Sequence, residues 1–253
     1  MRKAVAAGLC AVLAVLLLAG CGERAALDRL AAGERGRVAQ VRSADVLVLD
    51  GGLVVRLAGL DAPRTGEAGA DQGQALLTRL ALGRRAQLLY GGVRRDAYGR
   101  ALAQVRLADG NWLQKDLLEA GLARVRTWPD NRAMAAPMLA AEARARARRR
   151  GLWNGVWQVR LPEEMGPGAG GFQIVEGWVR GVTPKPWGVY LEFSRDAKGF
   201  AALVPAAHAS DFAAAGRDPA GLQRRLIRVR GVVGWDGVMT LDHPEAVELL
   251  RAP

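Results

Sequence analysis

Cysteine is nearly absent from this 253-residue chain: there are two, Cys10 and Cys21, both in the first segment. The rest of the chain therefore holds no disulfide and no cysteine-built metal centre. Histidine is equally scarce, with only His208 and His243; neither neighbours other ligand-type residues, so both read as structural or exposed. No tandem repeat of fixed period is present, which excludes a solenoid. No apolar run is long enough for a comfortable membrane span; the longest, over 4–18, is short and rich in small residues.

Half of the residues are hydrophobic, ample for more than one core. The formal charge of +11 and a pI near 10.8 point to an anionic partner, either nucleic acid or an acidic lipid surface. Arginine supplies nearly all of that charge, which also fits the codon habit of a GC-rich genome.

Arg2 and Lys3 precede the apolar run, which ends in Leu18-Ala19-Gly20-Cys21. That pattern predicts a signal peptide over 1–20 and resembles a bacterial lipobox, with Cys21 the lipidated residue. Each buried methylene of an acyl chain contributes about 0.8 kcal/mol, so several chains hold a protein firmly. The expected location is the cell envelope, facing the periplasm. Gly22 carries no acidic retention signal, which favours the outer over the inner membrane.

Beyond the leader, the sequence predicts a linker over 21–35, a domain over 36–157, a Pro/Gly-rich linker over 158–171 and a second strand-rich domain over 172–253. In the first domain, alternation predicts a strand over 37–49 with a turn at 42–45. A hairpin turn at Asp50-Gly51-Gly52 leads to a strand over 53–57. Helical spacing follows over 72–82, then strands over 86–90 and 101–107, and helices over 112–120 and 133–150, the last stopped at Gly151. The fold class expected is mainly β with α: a five-stranded barrel with helices packed against it.

Several strings then occur in a telling order. They are Val55-Arg56-Leu57-Ala58-Gly59-Leu60-Asp61-Ala62-Pro63, Asp96-Ala97-Tyr98-Gly99-Arg100, Asp109-Gly110, Glu119-Ala120-Gly121-Leu122-Ala123 and Arg150-Gly151-Leu152-Trp153. Together, over roughly 115 residues, they resemble the staphylococcal thermonuclease family. The resemblance implies an OB-type barrel and calcium-assisted hydrolysis of phosphodiesters in DNA or RNA. It makes Asp45 and Asp61 carboxylate ligands of Ca2+, with the Ala62 backbone carbonyl a further oxygen, as a hard cation prefers. It makes Arg56 and Arg100 the phosphate clamp, since guanidinium forks match phosphate oxygens and stabilise developing charge.

Two departures stand against that pattern. The family's Asp-Gly-Asp-Thr turn is here Ser43-Ala44-Asp45-Val46. The family's general-base Glu is replaced by Arg64, which cannot accept a proton; a positioned general base contributes typically 10²- to 10⁴-fold in rate. Three accounts of Arg64 remain open. Glu67 serves as a displaced base; or the Arg64 guanidinium replaces the cation by pairing with Asp45 and Asp61; or the correspondence slips by a residue or two in this loop.

In the second domain, runs over 172–182, 188–193, 201–204, 226–233 and 238–242 predict five strands. Helical pieces over 206–215 and 219–223 fall between the third and fourth, which suggests a second, smaller OB-like barrel. Such barrels bind single strands by stacking bases on aromatics; Trp178, Trp187, Tyr190, Phe193 and Trp235 are the candidates. The functional classes left are an envelope-anchored phosphodiesterase, a degenerate relative that binds nucleic acid or polyanions without efficient chemistry, and a structural envelope protein. Single-stranded DNA or RNA is the favoured partner, the membrane is reached through Cys21, and nothing in the sequence implies an obligate protein partner.

Overall fold

The computed structural model describes residues 22–165, 169–194 and 199–251. The stretch predicted as a signal peptide, over 1–20, and Cys21 lie outside the described residues. No described helix is long and apolar enough to cross a membrane. The chain divides into two compact units, Met1–Val125 with Ala133–Gly151, and Arg126–Arg132 with Leu152–Pro253.

The first unit opens with helix α1 (residues 22–28) and strands β1 (Ala31–Ser43), β2 (Val46–Leu49), β3 (Val54–Leu57) and β4 (Leu60–Asp61). Helix α2 (Ala70–Ala81), β5 (Arg85–Tyr90), β6 (Ala101–Leu107), α3 (Leu113–Glu119), β7 (Arg124–Val125) and α4 (Ala135–Ala147) follow. Five strands close a barrel in the order β1-β2-β3-β6-β5. All neighbours run antiparallel except β3 and β6, which are parallel. The short strand β2 reads Val-Leu-Val-Leu and is buried throughout, as a strand covered on both faces must be. Gly52, at φ +81°, makes the left-handed turn that the hairpin needs, and its N–H bonds Leu49 O at 2.8 Å. The core gathers Leu47, Leu57, Leu88 and Val105 from the barrel with Leu77 of α2 and Leu113 and Leu117 of α3.

The stretch expected as a linker over 21–35 is instead part of this unit. Leu27 of α1 is buried in the core, and β1 starts at Ala31, pairing Ala31 with Tyr90 and Ala32 with Leu89. The register shifts between Ala32 and Arg35. That irregularity breaks the period-two pattern from which a strand is read.

The second unit has strands β8 (Gly171–Trp178), β9 (Gly181–Lys185), β10 (Gly188–Glu192), β11 (Ala201–Pro205), β12 (Leu226–Val233), β13 (Val238–Thr240) and β14 (Val247–Arg251), with helix α5 (Ala209–Ala214). They form one seven-stranded sheet in the order β14-β12-β13-β11-β10-β9, with β8 also on β12. The sequence predicted a five-stranded barrel. The run over 172–182 is two strands because the chain changes partner: Trp178 still pairs with Leu226 of β12, whereas Gly181 pairs with Glu192 of β10. The stretch expected as a linker over 158–171 also belongs here. Arg160 N–H bonds Ile174 O at 2.8 Å, Glu176 N–H bonds Arg160 O at 2.9 Å, and Met165 is in the core with Val175, Phe212 and Ile227.

Candidate nucleic-acid interface

Asp45 sits in the tight connection from β1 to β2. Ser43 Oγ donates to its Oδ1 at 2.9 Å. Ala44 is buried beneath α2, where a Cβ on Gly73 would lie 2.7 Å from the Ala44 Cβ. The β2–β3 register sets Val46 opposite Arg56, which brings Arg56 beside Asp45 with Nη2 3.2 Å from Oδ2.

Arg100 is set by the turn before β6. Asp96 Oδ1 accepts the N–H groups of Tyr98 and Arg100 at 2.9 and 3.0 Å, and Oδ2 accepts Arg100 Nε at 2.7 Å. Burial pushes the Asp96 carboxyl up, but the Arg100 guanidinium and the two backbone N–H groups outweigh it and hold it below the ordinary range. The Arg100 guanidinium lies over the Tyr98 ring, 5.2 Å from its centre. Arg56 pairs with Leu102 across the β3–β6 ladder. Arg100 lies two residues before Leu102, in the turn that leads into β6.

Asp61 ends β4, opposite Arg124 of β7, and Arg124 Nη2 donates to Asp61 Oδ2 at 2.6 Å. The wholly buried Glu142 of α4 holds β7: its Oε2 accepts Val125 N–H at 2.7 Å, and its Oε1 accepts Arg146 Nη1 at 2.7 Å. Ala62 follows Asp61 and is half-buried.

Arg64 and Glu67 are exposed and close a turn on each other. Arg64 N–H donates to Glu67 Oε2 at 2.9 Å, and Glu67 N–H to Arg64 O at 2.8 Å. The pairing of Arg64 with Asp45 and Asp61 that one sequence account gave is not made; those carboxylates belong to Arg56 and Arg124. Sequence reasoning missed Arg124. Its signal was modest, an Arg directly after the Glu119–Ala123 string and alternating with buried Val125.

Calcium needs six to eight oxygen ligands. Among the described residues no group of three or more His, Cys, Asp or Glu is placed to hold a metal. Asp45 and Asp61 each already carry a guanidinium, which repels a divalent cation. As arranged, these residues do not fit a calcium ion.

None of the candidate residues lines the large cavity of the first unit, about 880 Å³, which has Arg24, Arg35, Arg37, Arg85 and Arg106 in its walls. In the second unit the candidate aromatics separate. Phe193 is core, 5.2 Å from Phe200. Trp178 lines a recess with Arg180 and Arg224. Trp187 is exposed and bonds Tyr190 Oη through Nε1 at 3.2 Å. Tyr190 and Trp235 share one cavity of about 460 Å³, which also takes in Arg126, Trp128 and Phe172. Those three were not foreseen.

A closed five-stranded barrel with helices packed against it, as here, is the architecture of a nuclease-type OB barrel. Residues 54–155 match the family model described as the staphylococcal nuclease homologue, and this stretch is a staphylococcal nuclease-like domain. The match begins at β3, so Asp45 precedes it, while Arg56, Asp61, Arg64, Arg100 and Arg124 lie inside it. No curated protein matches the chain.

Proposed function

We propose that this chain is an envelope-anchored, nuclease-type protein that binds nucleic-acid phosphates through Arg56 and Arg100 and hydrolyses them poorly, because Arg64 stands where the family places its base. The observation that carries this reading is the pairing of both candidate metal carboxylates with arginines, Asp45 with Arg56 and Asp61 with Arg124. Partly exposed ion pairs contribute only about 0–1 kcal/mol. An incoming phosphate, with more oxygens to offer two forks, therefore displaces a carboxylate at little cost. The anchor rests on Cys21 and the lipobox-like string before it. Cys21→Ala moves the protein out of the membrane fraction; retention there sinks the anchor.

Calcium-dependent hydrolysis is the second reading, favoured by the exposed Glu67 carboxylate in the same turn as Arg64. Cleavage of labelled DNA and RNA, with calcium and with chelator, separates the two. The binding reading expects retention of both nucleic acids by the natural chain with negligible calcium-stimulated cleavage, and a gain of cleavage in Arg64→Glu. Strong calcium-dependent cleavage by the natural chain, lost in Glu67→Gln, establishes the enzyme instead.

A further inference from the structure

The cavity of about 460 Å³ in the second unit falls in the size range of small-ligand sites. Its floor is the outer face of the sheet. Tyr190, Leu203 and Thr240 stand side by side across β10, β11 and β13, while their neighbours Leu191, Ala202 and Met239 point the other way into the core. Phe172 and Val232 form a cross-strand pair on β8 and β12. This face carries apolar and aromatic groups yet is left partly open, with Val232 46 % and Trp235 100 % exposed.

Both flanks of the cavity are built. Trp235 is held out at the β12–β13 turn, where Gly234 N–H bonds Val238 O at 2.9 Å and Asp236 Oδ1 accepts Val238 N–H at 3.1 Å. On the other side, Arg126 places its guanidinium 5.3 Å from the Trp128 ring centre and 5.5 Å from that of Phe172. His243, itself 4 % exposed, ties this flank to the sheet: Nε2 meets Thr127 Oγ1 at 2.8 Å and Nδ1 meets Asp242 Oδ1 at 2.6 Å. The chain of contacts is not a nucleophile relay. The hydroxyl that a substrate would have to reach is on Thr127, 7 % exposed, whereas the Asp242 side chain at the far end is 41 % exposed.

We infer that this cavity binds one nucleotide unit, its base stacked among Trp128, Tyr190 and Trp235 and its phosphate drawn to Arg126. Aromatic planes recognise the π-face of any base, and a guanidinium between rings meets both phosphate and base. The inference concerns a site of its own but shares the nucleic-acid partner of the preceding section, so the test uses variants of each unit.

Tryptophan-fluorescence quenching of the full chain is titrated with adenosine monophosphate, with a single-stranded oligonucleotide and with a duplex of the same sequence. The expected result is saturable quenching by mononucleotide or single strand and weak or no response to duplex. Trp235→Ala and Arg126→Ala, each checked for folding by circular dichroism, weaken binding of labelled single strand by roughly tenfold or more. Quenching by mononucleotide shows that a free nucleotide suffices; quenching by oligonucleotide alone shows that a strand is needed. Arg56→Ala with Arg100→Ala disables the barrel surface and leaves this binding in place. Binding that is unchanged in both Trp235→Ala and Arg126→Ala, or that vanishes only with the barrel arginines, overturns the inference. Absence of any response to either ligand overturns it as well.

Discussion

Glu142 offers the sharpest test of how the barrel positions its candidate site. It is 0 % exposed, it bonds the Val125 backbone and Arg146, and Arg124 next door holds Asp61. Glu142→Ala removes a carboxylate from between a buried N–H and a guanidinium. Breaking a buried pair from one side costs about 3–5 kcal/mol, because the remaining charge keeps its desolvation cost. Arg146 is 17 % exposed and recovers some hydration, so the lower end, about 3 kcal/mol, applies. At about 2–4 °C per kcal/mol, that is a drop in Tm of about 10 °C. The assay is thermal and urea unfolding of the full chain, read by circular dichroism. Glu142→Met with Arg146→Leu recovers only part of the loss: the ion pair is replaced as a whole, but the buried Val125 N–H stays without its acceptor, at about 1–3 kcal/mol. A single variant within 1 kcal/mol of the natural protein refutes the claim that Glu142 holds β7.

Two further outcomes follow from the same unit. Asp116 of α3 has Oδ2 buried without a hydrogen-bond partner, and burial, with the charge of Glu119, pushes its carboxyl up to about 6. A carboxyl raised in the folded state is protonated in both states below about pH 4, so stability falls as pH rises from about 4 to about 6 and is flat above. Water screens part of this group, so the loss is about 1 kcal/mol; Asp116→Asn is more stable by that amount at pH 7 and equal near pH 4, and a pH-independent difference contradicts it. Gly73→Ala drives a methyl against Ala44, and overpacking of about 1–3 kcal/mol exceeds the helix-propensity gain of up to about 1 kcal/mol; adding Ala44→Gly restores stability, as unfolding of both variants will show.

Much of the barrel was legible because its strands are short, apolar and punctuated. Asp50-Gly51-Gly52 and the turn from Asp96 to Arg100 are local instructions, and β2 and β6 lie where their patterns put them. What escaped were features that depend on partners distant in sequence. The start of β1 is fixed by β5 across a register shift, and the break between β8 and β9 is a change of neighbour from β12 to β10. The same limit applies to the site. Arg56 and Arg100 could be named from strings, whereas Arg124 matters only because β4 and β7 pair. Trp128 and Phe172 become neighbours of Arg126 only when 126–132 joins the second unit.

The local charge explains why one loop residue has so much leverage on the proposed chemistry. Each candidate metal carboxylate already has a guanidinium bound to it, Asp45 that of Arg56 and Asp61 that of Arg124. With a Glu at position 64, carboxylates outnumber guanidinium groups, and a divalent cation gains by entering. With Arg64 the two are level once Glu67 of the same turn is included; the exchange of Glu for Arg shifts the loop by two units of positive charge, the same as the charge of one calcium ion. Pairing does not need Arg64 itself to touch either carboxylate, and its guanidinium makes no ion pair with them. The loop need only withhold the acid, after which each Asp is satisfied by the arginine that its own strand pairing supplies. On the reading proposed above, Arg64 lowers the affinity for calcium without touching the arginines proposed to hold phosphate. The arginine pairs are set by the β2–β3 and β4–β7 ladders, whereas position 64 lies in an exposed turn, so a change there leaves both pairs in place.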